Sequence, residues 1–134
     1  MFEVLDMGAS GMMAQRARMD TIAGNVLHMN TTRNEQGEKI PYRRKFVVFQ
    51  PGQALDRSKP GVHVAKISED HSPFIRKFEP GHQDAGPDGY VEYPNVDLAI
   101  EMVNMLEASR AYEANITMME TTKQMLNATM RLLA

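Results

Sequence analysis

Four consecutive side chains bring together an acid, a base and a nucleophile: Glu69, Asp70, His71 and Ser72. In a catalytic triad such groups meet across the fold, with the base hydrogen-bonded to both the acid and the nucleophile. Neighbours along one strand or turn cannot reach that geometry, and Pro73 follows them directly. The sequence therefore favours a polar turn over a hydrolytic centre.

The four histidines are the remaining candidates for catalysis or metal binding: His28, His63, His71 and His82. No pair has the short spacing of zinc ligands, and the chain contains no cysteine. A glycine-rich phosphate loop and a nucleophile elbow are also absent. The sequence predicts no catalytic, cofactor or metal site, so an enzyme is the least favoured functional class.

A short basic run, Arg43, Arg44 and Lys45, lies between the aromatic residues Tyr42 and Phe46. Such a run could bind nucleic acid or anionic lipid, or it could be solvated charge on an edge strand. The net charge of −2 argues against a nucleic-acid-binding protein, which usually has a basic excess. Solvated charge is the favoured interpretation.

The composition separates the ends of the chain from its middle. All seven prolines lie between Pro41 and Pro94, and all twelve methionines lie outside that stretch. Methionine side chains are flexible and adapt to irregular surfaces, which suits helices that contact several neighbours. The pattern indicates helical ends and a middle of turns and short strands.

The C-terminal third carries a heptad series without charged residues: Leu98, Met105, Tyr112, Met119, Leu126 and Leu133. A second series lies four residues after the first five members and is apolar at three positions: Met102, Ser109, Ile116, Lys123 and Met130. Residues 95–134 contain neither glycine nor proline, which predicts one helix about 60 Å long. Asn95 is expected to cap it after Pro94. A helix this long with so broad an apolar stripe needs partners along its length.

The N-terminal segment has a similar but weaker pattern. Its apolar residues recur every seven positions, with an isoleucine beside them: Leu5, Met12, Met19, Val26 and Ile22. Gly8, Gly11 and Gly24 each weaken a helix by about 1 kcal/mol relative to alanine. This helix is expected to be marginal alone and ordered by contact.

The middle of the chain predicts four short strands, residues 42–49, 62–67, 74–78 and 90–93, separated by Pro-Gly and Asp-Gly turns. The expected fold class is α+β, with two long terminal helices that pair as a coiled-coil-like stalk. We divide the chain into an N-terminal helix (1–30), a polar loop (31–41), a small β-rich element (42–94) and a C-terminal helix (95–134). No run of 18 apolar residues predicts a membrane span, and the start lacks the features of a cleaved signal peptide.

Several motifs in the N-terminal half occur in a recognisable order. The stretches are residues 9–16 (ASGMMAQR), 19–20 (MD), 23–26 (AGNV), 30–32 (NTT) and 41–44 (PYRR). They resemble the signature of the bacterial flagellar rod and hook proteins. The matching positions include Ser10, Gly11, Gln15, Asn25, Asn30 and Thr31. The sequence departs from that pattern at Gly24, Leu27, His28 and Met29, so the turn after the first helix could differ from that of the family.

The C-terminal half continues the resemblance with EPG at 79–81, GYV at 89–91, PNVD at 94–97, EMV at 101–103, ASRAYEAN at 108–115 and KQM at 123–125. The matching positions include Pro94, Asn95, Ser109, Arg110 and Asn115. The ordered series covers nearly the whole chain, and the length suits the proximal-rod member of the family.

The resemblance implies a structural subunit of the flagellar basal body, without cofactors. Its terminal helices would polymerise with copies of itself and with other rod proteins into a torque-transmitting tube around the export channel. The implied route is the flagellar type III export apparatus, without a cleaved signal peptide, to a rod that spans the periplasm and meets the basal-body rings. The expected assembly interface consists of Leu5, Met12, Met19, Ile22, Val26, Leu98, Met102, Met105, Tyr112, Ile116, Met119, Leu126, Met130 and Leu133.

The second functional class is a helical adaptor or export chaperone that binds clients in a methionine-rich groove. This class predicts a stable, discrete oligomer in dilute solution. A rod subunit is instead expected to have mobile ends as a monomer, because its apolar stripes lack neighbours.

Overall fold

The computed structural model describes residues 2–134 and confirms the α+β class. Two long helices enclose four short strands in chain order: α1 (Phe2–Leu27), β1 (Lys45–Pro51), β2 (Val62–Glu69), β3 (Ile75–Phe78), β4 (Tyr90–Tyr93) and α2 (Leu98–Leu133). All four predicted strands are present. β1 begins three residues later than expected, because the residues before it bind other parts of the chain through hydrogen bonds described below.

The two helices pair antiparallel. Gly8 near the start of α1 lies against Met118, and Asn25 near its end lies against Glu101. α1 has 26 residues and α2 has 36, which correspond to about 39 and 54 Å. In this register the last ten residues of α2 have no α1 residue opposite them, and residues 127–134 are all exposed.

Asp97 caps α2, so the prediction that Asn95 is the cap was wrong. One carboxylate oxygen of Asp97 accepts hydrogen bonds from the backbone N–H groups of Ala99, at 2.9 Å, and Ile100, at 3.4 Å. The Asn95 side chain points away from the helix and binds the chain before β1. α2 therefore begins at Leu98, three residues later than predicted.

The strands form two separate antiparallel pairs, β1 with β2 and β3 with β4. The register of the first pair shifts between Val48 and Phe49, which marks a bulge. Isolated two-stranded sheets are marginally stable in water. The β1–β2 pair packs on α1, and neither pair packs on α2.

The polar loop after α1 is attached to the loop between β3 and β4 through Asp84. The Thr32 hydroxyl donates to the Asp84 carboxylate at 2.7 Å, and Arg33 forms an ion pair with the same carboxylate. The hydrogen bond from Thr32 is the largest cause that holds the pKa of Asp84 below its usual range, and Arg33 adds to it. These contacts attach the loop between β3 and β4 to the loop that follows α1.

The hydrophobic core is small. The buried apolar residues are Ala14, Ile22, Val91, Val96 and Ala108. The accessible surface is 9258 Å², whereas a compact monomer of 15.1 kDa would expose about 7,100 Å². The chain thus keeps an unusually large area in contact with solvent.

Candidate assembly interface

The facing surfaces of α1 and α2 consist largely of small and polar residues. A methyl group on Gly8 would lie 2.7 Å from Met119 Cγ, and one on Gly11 would lie 2.9 Å from the Asn115 carboxamide nitrogen. Real Cβ atoms do not approach so closely, so the two glycines permit the close contact of the helices.

The buried positions of α2 follow a heptad that the sequence analysis did not select. Glu101, Ala108 and Thr122 are buried, and Asn115 between them is half-buried. We call this line of contact with α1 the seam. At 100° per residue, both predicted series lie on one side of the seam, the first next to it and the second further round the helix. The regular spacing of these small and polar residues could have predicted the seam, but a prediction based on apolar residues alone does not detect it.

At one end of the seam, the Asn25 carboxamide binds the backbone of β1. Its nitrogen donates to the Lys45 carbonyl at 2.7 Å and to Glu101 Oε2 at 3.3 Å, while its oxygen accepts from Lys45 N–H at 2.9 Å and from the Tyr42 hydroxyl at 3.1 Å. Asn25 is completely buried. Burial raises the pKa of Tyr42, and the nearby carboxylates of Glu69 and Glu101 add to the rise.

Glu101 is a fully buried charge, with 0% of its surface exposed. Arg44 Nε donates to Glu101 Oε1, and the same guanidinium lies 3.5 Å from Asp70 Oδ2. A buried carboxylate is costly unless it is paired and hydrogen-bonded, and here Arg44 and Asn25 provide both. The arrangement joins α1, α2 and the starts of the strands.

Asn95 completes this cluster from the opposite side. Its oxygen accepts from Arg44 N–H at 2.9 Å, and its nitrogen donates to the carbonyls of Asp70, at 3.0 Å, and Ser72, at 3.2 Å. The Ser72 hydroxyl and N–H both donate to the Asp70 carboxylate. These two bonds are the largest causes that lower the pKa of Asp70, and Arg44 contributes less. We call the set formed by Asn25, Arg44, Asn95 and Glu101 the polar junction.

The structure separates the predicted assembly residues into two groups. Ten are buried or half-buried along the flanks of the seam: Leu5, Met12, Met19, Ile22, Val26, Met105, Tyr112, Ile116, Met119 and Leu126. Four are exposed near the two ends of α2: Leu98, Met102, Met130 and Leu133. The second group keeps a large part of its apolar surface in contact with solvent.

Apolar side chains outside the predicted set extend the exposed surface of α2. Val103 and Leu106 are 63% and 61% exposed, and they lie beside Met102 on the first three turns. At the other end, Leu132 is 88% exposed. The outward surface of α2 is therefore apolar at both ends.

The family-motif residues fall into three locations. Asn25, Pro94 and Asn95 lie in or beside the polar junction, and Gly11 and Asn115 meet in the seam. Ser10 fastens the β1–β2 pair to α1, because its hydroxyl accepts from Val62 N–H at 3.2 Å and donates to the carbonyl of Met7 at 2.7 Å. The half-buried members are Gln15, Thr31 and Ser109, and the exposed ones are Asn30 and Arg110.

Two of the three basic residues bind within their own chain, so the expectation of solvated charges on an edge strand was wrong for Arg43 and Arg44, whereas Lys45 is exposed on β1. The Arg43 guanidinium lies 4.4 Å above the Phe74 ring, and Arg44 lies in the polar junction. Lys45 Nζ lies 5.7 Å from the centre of the Tyr42 ring. Only Lys45 belongs to β1.

Within residues 2–134, no three histidine, aspartate or glutamate side chains are grouped so that they could bind a metal ion. None of the helices in that range is both long enough and apolar enough to cross a membrane.

Comparisons with known proteins agree with this architecture. A family profile described as the C-terminal region of the flagellar basal body rod FlgEFG proteins matches residues 88–132. The flagellar basal-body rod protein FlgC of Bacillus subtilis is 42% identical over 139 aligned positions, which cover 93% of each chain. FlgC of Borreliella burgdorferi is 37% identical, with 99% of this chain and 97% of the relative covered. FlgC of Salmonella typhimurium is 38% identical, with coverages of 98% and 97%.

The chain belongs to the FlgC family of flagellar basal-body rod proteins. The full-length similarity confirms the resemblance inferred from the motifs. The chain is thus a structural subunit of the basal-body rod, and membership of the rod implies assembly with other rod components. Its relatives are structural proteins and not enzymes, which agrees with the absence of catalytic motifs from the sequence.

Proposed function

We propose that the chain is a subunit of the proximal rod and polymerises through α1 and α2 to form a torque-transmitting tube around the export channel. Residues 1–30 and 95–134 form the core of the rod in this proposal, residues 42–94 form an outer element, and residues 31–41 link the two. The subunit is exported by the flagellar type III apparatus without a cleaved signal peptide. The rod then crosses the periplasm inside the basal-body rings.

The observation that carries this proposal is the unpartnered apolar surface of α2. The chain exposes roughly 2,000 Å² more than a compact monomer of its mass would expose. Met102, Val103 and Leu106 are each about 60% exposed on adjacent turns. Contiguous exposed apolar patches of this kind mark surfaces that bind other proteins.

The predicted assembly residues enter the proposal in two roles. Leu98, Met102, Met130 and Leu133 contact neighbouring subunits directly, since between 42% and 85% of each residue's surface is exposed. The half-buried residues along the seam, such as Met105 and Met119, present only their outer edges to neighbours. Substituting the second group would disturb the helix pair itself, so they are less suitable for testing assembly.

The test replaces Met102, Val103 and Leu106 together by aspartate. We expect loss of swimming and at least a tenfold fall in the amount of subunit in isolated basal bodies, because charged groups oppose burial between subunits. The purified variant should keep its helix content by circular dichroism, since these side chains are exposed.

The matched control replaces Ala114, Thr117 and Thr121, three exposed residues in the polar middle of α2, by aspartate. This variant carries the same added charge on the same helix and is expected to swim. Normal swimming by the Met102, Val103 and Leu106 variant would contradict the proposal. A stable, discrete oligomer of the native chain in dilute solution would instead support the helical adaptor.

A further inference from the structure

We infer that the contact between Asn25, Arg44 and Glu101 is a register lock: it sets how far α2 projects past α1. These three residues form the buried half of the polar junction, and Asn25 and Glu101 are both completely inaccessible to solvent. The lock acts on the alignment of the two helices along their common axis.

The seam beyond the polar junction provides little selectivity of its own. Of the largest fully buried side chains among the described residues, Glu101 and Asn25 lie between the helices, and both belong to the polar junction. Along the rest of the seam the contacts are made by small or flexible side chains: Gly8 meets Met118 and Met119, Gly11 meets Asn115, and Ala108 and Thr122 are buried. Small side chains fit against one another in more than one alignment, whereas interlocking large ones do not.

A shift of α2 by one heptad illustrates the difference. A shift that places Ala108 where Glu101 now meets Asn25 would set Gly11 against Thr122 instead of Asn115. The seam accommodates the exchange at Gly11, because threonine is smaller than asparagine. The heptad repeat of α2 would keep the same face toward α1.

The polar junction does not tolerate the same shift. Seven residues correspond to about 10 Å along the helix, which would carry the Glu101 carboxylate away from Arg44. The buried Glu101 carboxylate would lose its charged partner, Arg44 would keep only Asp70, and the Asn25 carboxamide would lose its bond to Glu101. A single buried polar contact is known to fix register in this way in coiled coils.

Arg44 is itself held in a fixed frame. Its backbone N–H donates to Asn95 at 2.9 Å, and its carbonyl accepts from Asp70 N–H at 2.8 Å. The guanidinium also lies 3.5 Å from the Asp70 carboxylate. Through Arg44, the position of Glu101 is therefore fixed relative to the start of β1 and the end of β2, as well as relative to α1.

The alignment determines which residues of α2 extend past Phe2. The last ten residues, about 15 Å of helix, include the exposed Met130, Leu132 and Leu133. A shift of one heptad that brings Ala108 to Asn25 would shorten the part of α2 that extends past Phe2 by about two thirds. The effect on assembly rests on the proposed function, but the lock itself is a property of the isolated chain.

The experiment measures the distance between spin labels on α1 and α2 in the purified full chain. Asp20→Cys and Glu120→Cys place labels on exposed positions, and the absence of native cysteine keeps the labelling specific. The two positions are separated along the axis by about 14 residues, or 21 Å, in the observed register. We expect one narrow distance distribution for this labelled chain.

Replacing both charges of the lock, as Arg44→Leu with Glu101→Leu, is expected to add a second distance, because a shift of one heptad displaces the labels by about 10 Å along the helix axis. The matched control replaces, in the same way, the more solvent-accessible pair Arg18 and Glu107, which also joins α1 to α2 and whose charged atoms are 3.3 Å apart. The control should keep the single distance. Circular dichroism verifies that both variants remain helical, which separates a loss of register from a loss of structure.

A folded Arg44 and Glu101 variant with one unchanged distance would overturn the inference, as would equal broadening in the control. Should that variant not fold, Glu101→Gln provides the test, because it keeps the shape of the side chain and removes the charge. A second distance in Glu101→Gln supports the lock, and a single one overturns it. None of these outcomes depends on rod assembly, so a failure of the lock would leave the proposed function intact.

Discussion

The carboxamide of Asn25, near the end of α1, pairs with the backbone of Lys45 as a neighbouring strand would, donating to its carbonyl and accepting from its N–H at 2.7 and 2.9 Å. A helix thereby provides hydrogen bonds to the first residue of β1. The contact needs both a donor and an acceptor on one short side chain, a requirement that asparagine meets and aspartate does not.

Asn25→Asp should therefore destabilise the folded chain by about 2–4 kcal/mol. The carboxylate would lose the donors to Lys45 and Glu101, and it would place a second negative charge beside the buried Glu101. Urea denaturation followed by circular dichroism measures the change in the free energy of unfolding. Asn30→Asp, at an exposed position, is the matched control and should change it by less than about 0.5 kcal/mol. Equal stability of the two variants would refute the role of Asn25.

Gly24→Ala and Gly8→Ala should change stability in opposite directions. No heavy atom lies within 4 Å of a methyl group at Gly24, so alanine there should stabilise α1 by up to about 1 kcal/mol. A methyl group at Gly8 would lie 2.6 Å from Met118 Cε and 2.7 Å from Met119 Cγ, so both side chains would have to leave their packed positions, which should destabilise the chain. Thermal denaturation of both variants compares the signs, and stabilisation by Gly8→Ala would show that the seam is looser than the structure indicates.

Asp97→Ala and Asn95→Ala should both destabilise the chain, for different reasons. Loss of the Asp97 cap should cost about 1 kcal/mol and loosen the first turn of α2. Loss of Asn95 should cost more, because it leaves the Arg44 N–H without its partner and removes one of the two donors to the Asp70 carbonyl. Hydrogen exchange can separate the two: faster exchange at Ala99 and Ile100 is expected only for Asp97→Ala. The same pattern in Asn95→Ala would revive Asn95 as the cap.

Acid should destabilise the chain partly through Asp70. Its pKa is lowered in the folded state, so the folded chain binds this proton less readily than the unfolded chain does. The resulting stability is present above the ordinary aspartate pKa of about 4 and is lost as the pH falls through the lowered folded value. Asp70→Asn should remove this contribution, and the free energy of unfolding should fall less steeply between about pH 5 and pH 2. The control, Glu120→Gln at an exposed position, should leave the fall of the unfolding free energy with pH as steep as in the native chain. An unchanged slope for Asp70→Asn would contradict the prediction.

The sequence predicted the kinds and order of the elements because their local signals were strong. The absence of glycine and proline from residues 95–134 predicted the long helix α2. Aromatic and β-branched residues between two turns predicted β4, whose observed bounds, Tyr90–Tyr93, are those expected. The start of β1 was placed three residues early, because Tyr42 and Arg44 have strand-like neighbours but bind across the chain. Local patterns do not contain such long-range bonds.

The polar junction could not be derived from the pattern of the residues. Glu101 is an ordinary residue for the first turn of a helix, and its complete burial depends on Arg44, which is 57 positions away. The motif resemblance did select Asn25 and Asn95, without indicating that they meet the same short segment before β1. Likewise, the apolar heptads predicted residues beside the seam but not Ala108 and Thr122 at its centre.

Both sheets leave α2 uncovered. α2 packs on α1 and, at Glu101, on the segment before β1. We call its remaining surface, which no strand covers, the back of the molecule, and the side that carries the strands the front. Copies laid side by side with their backs aligned would meet no obstruction from the hairpins, whatever the length of the loops at the front. Insertions in the connections between strands would accordingly alter the front alone, so this part of the chain is free to vary in size while the back keeps its shape.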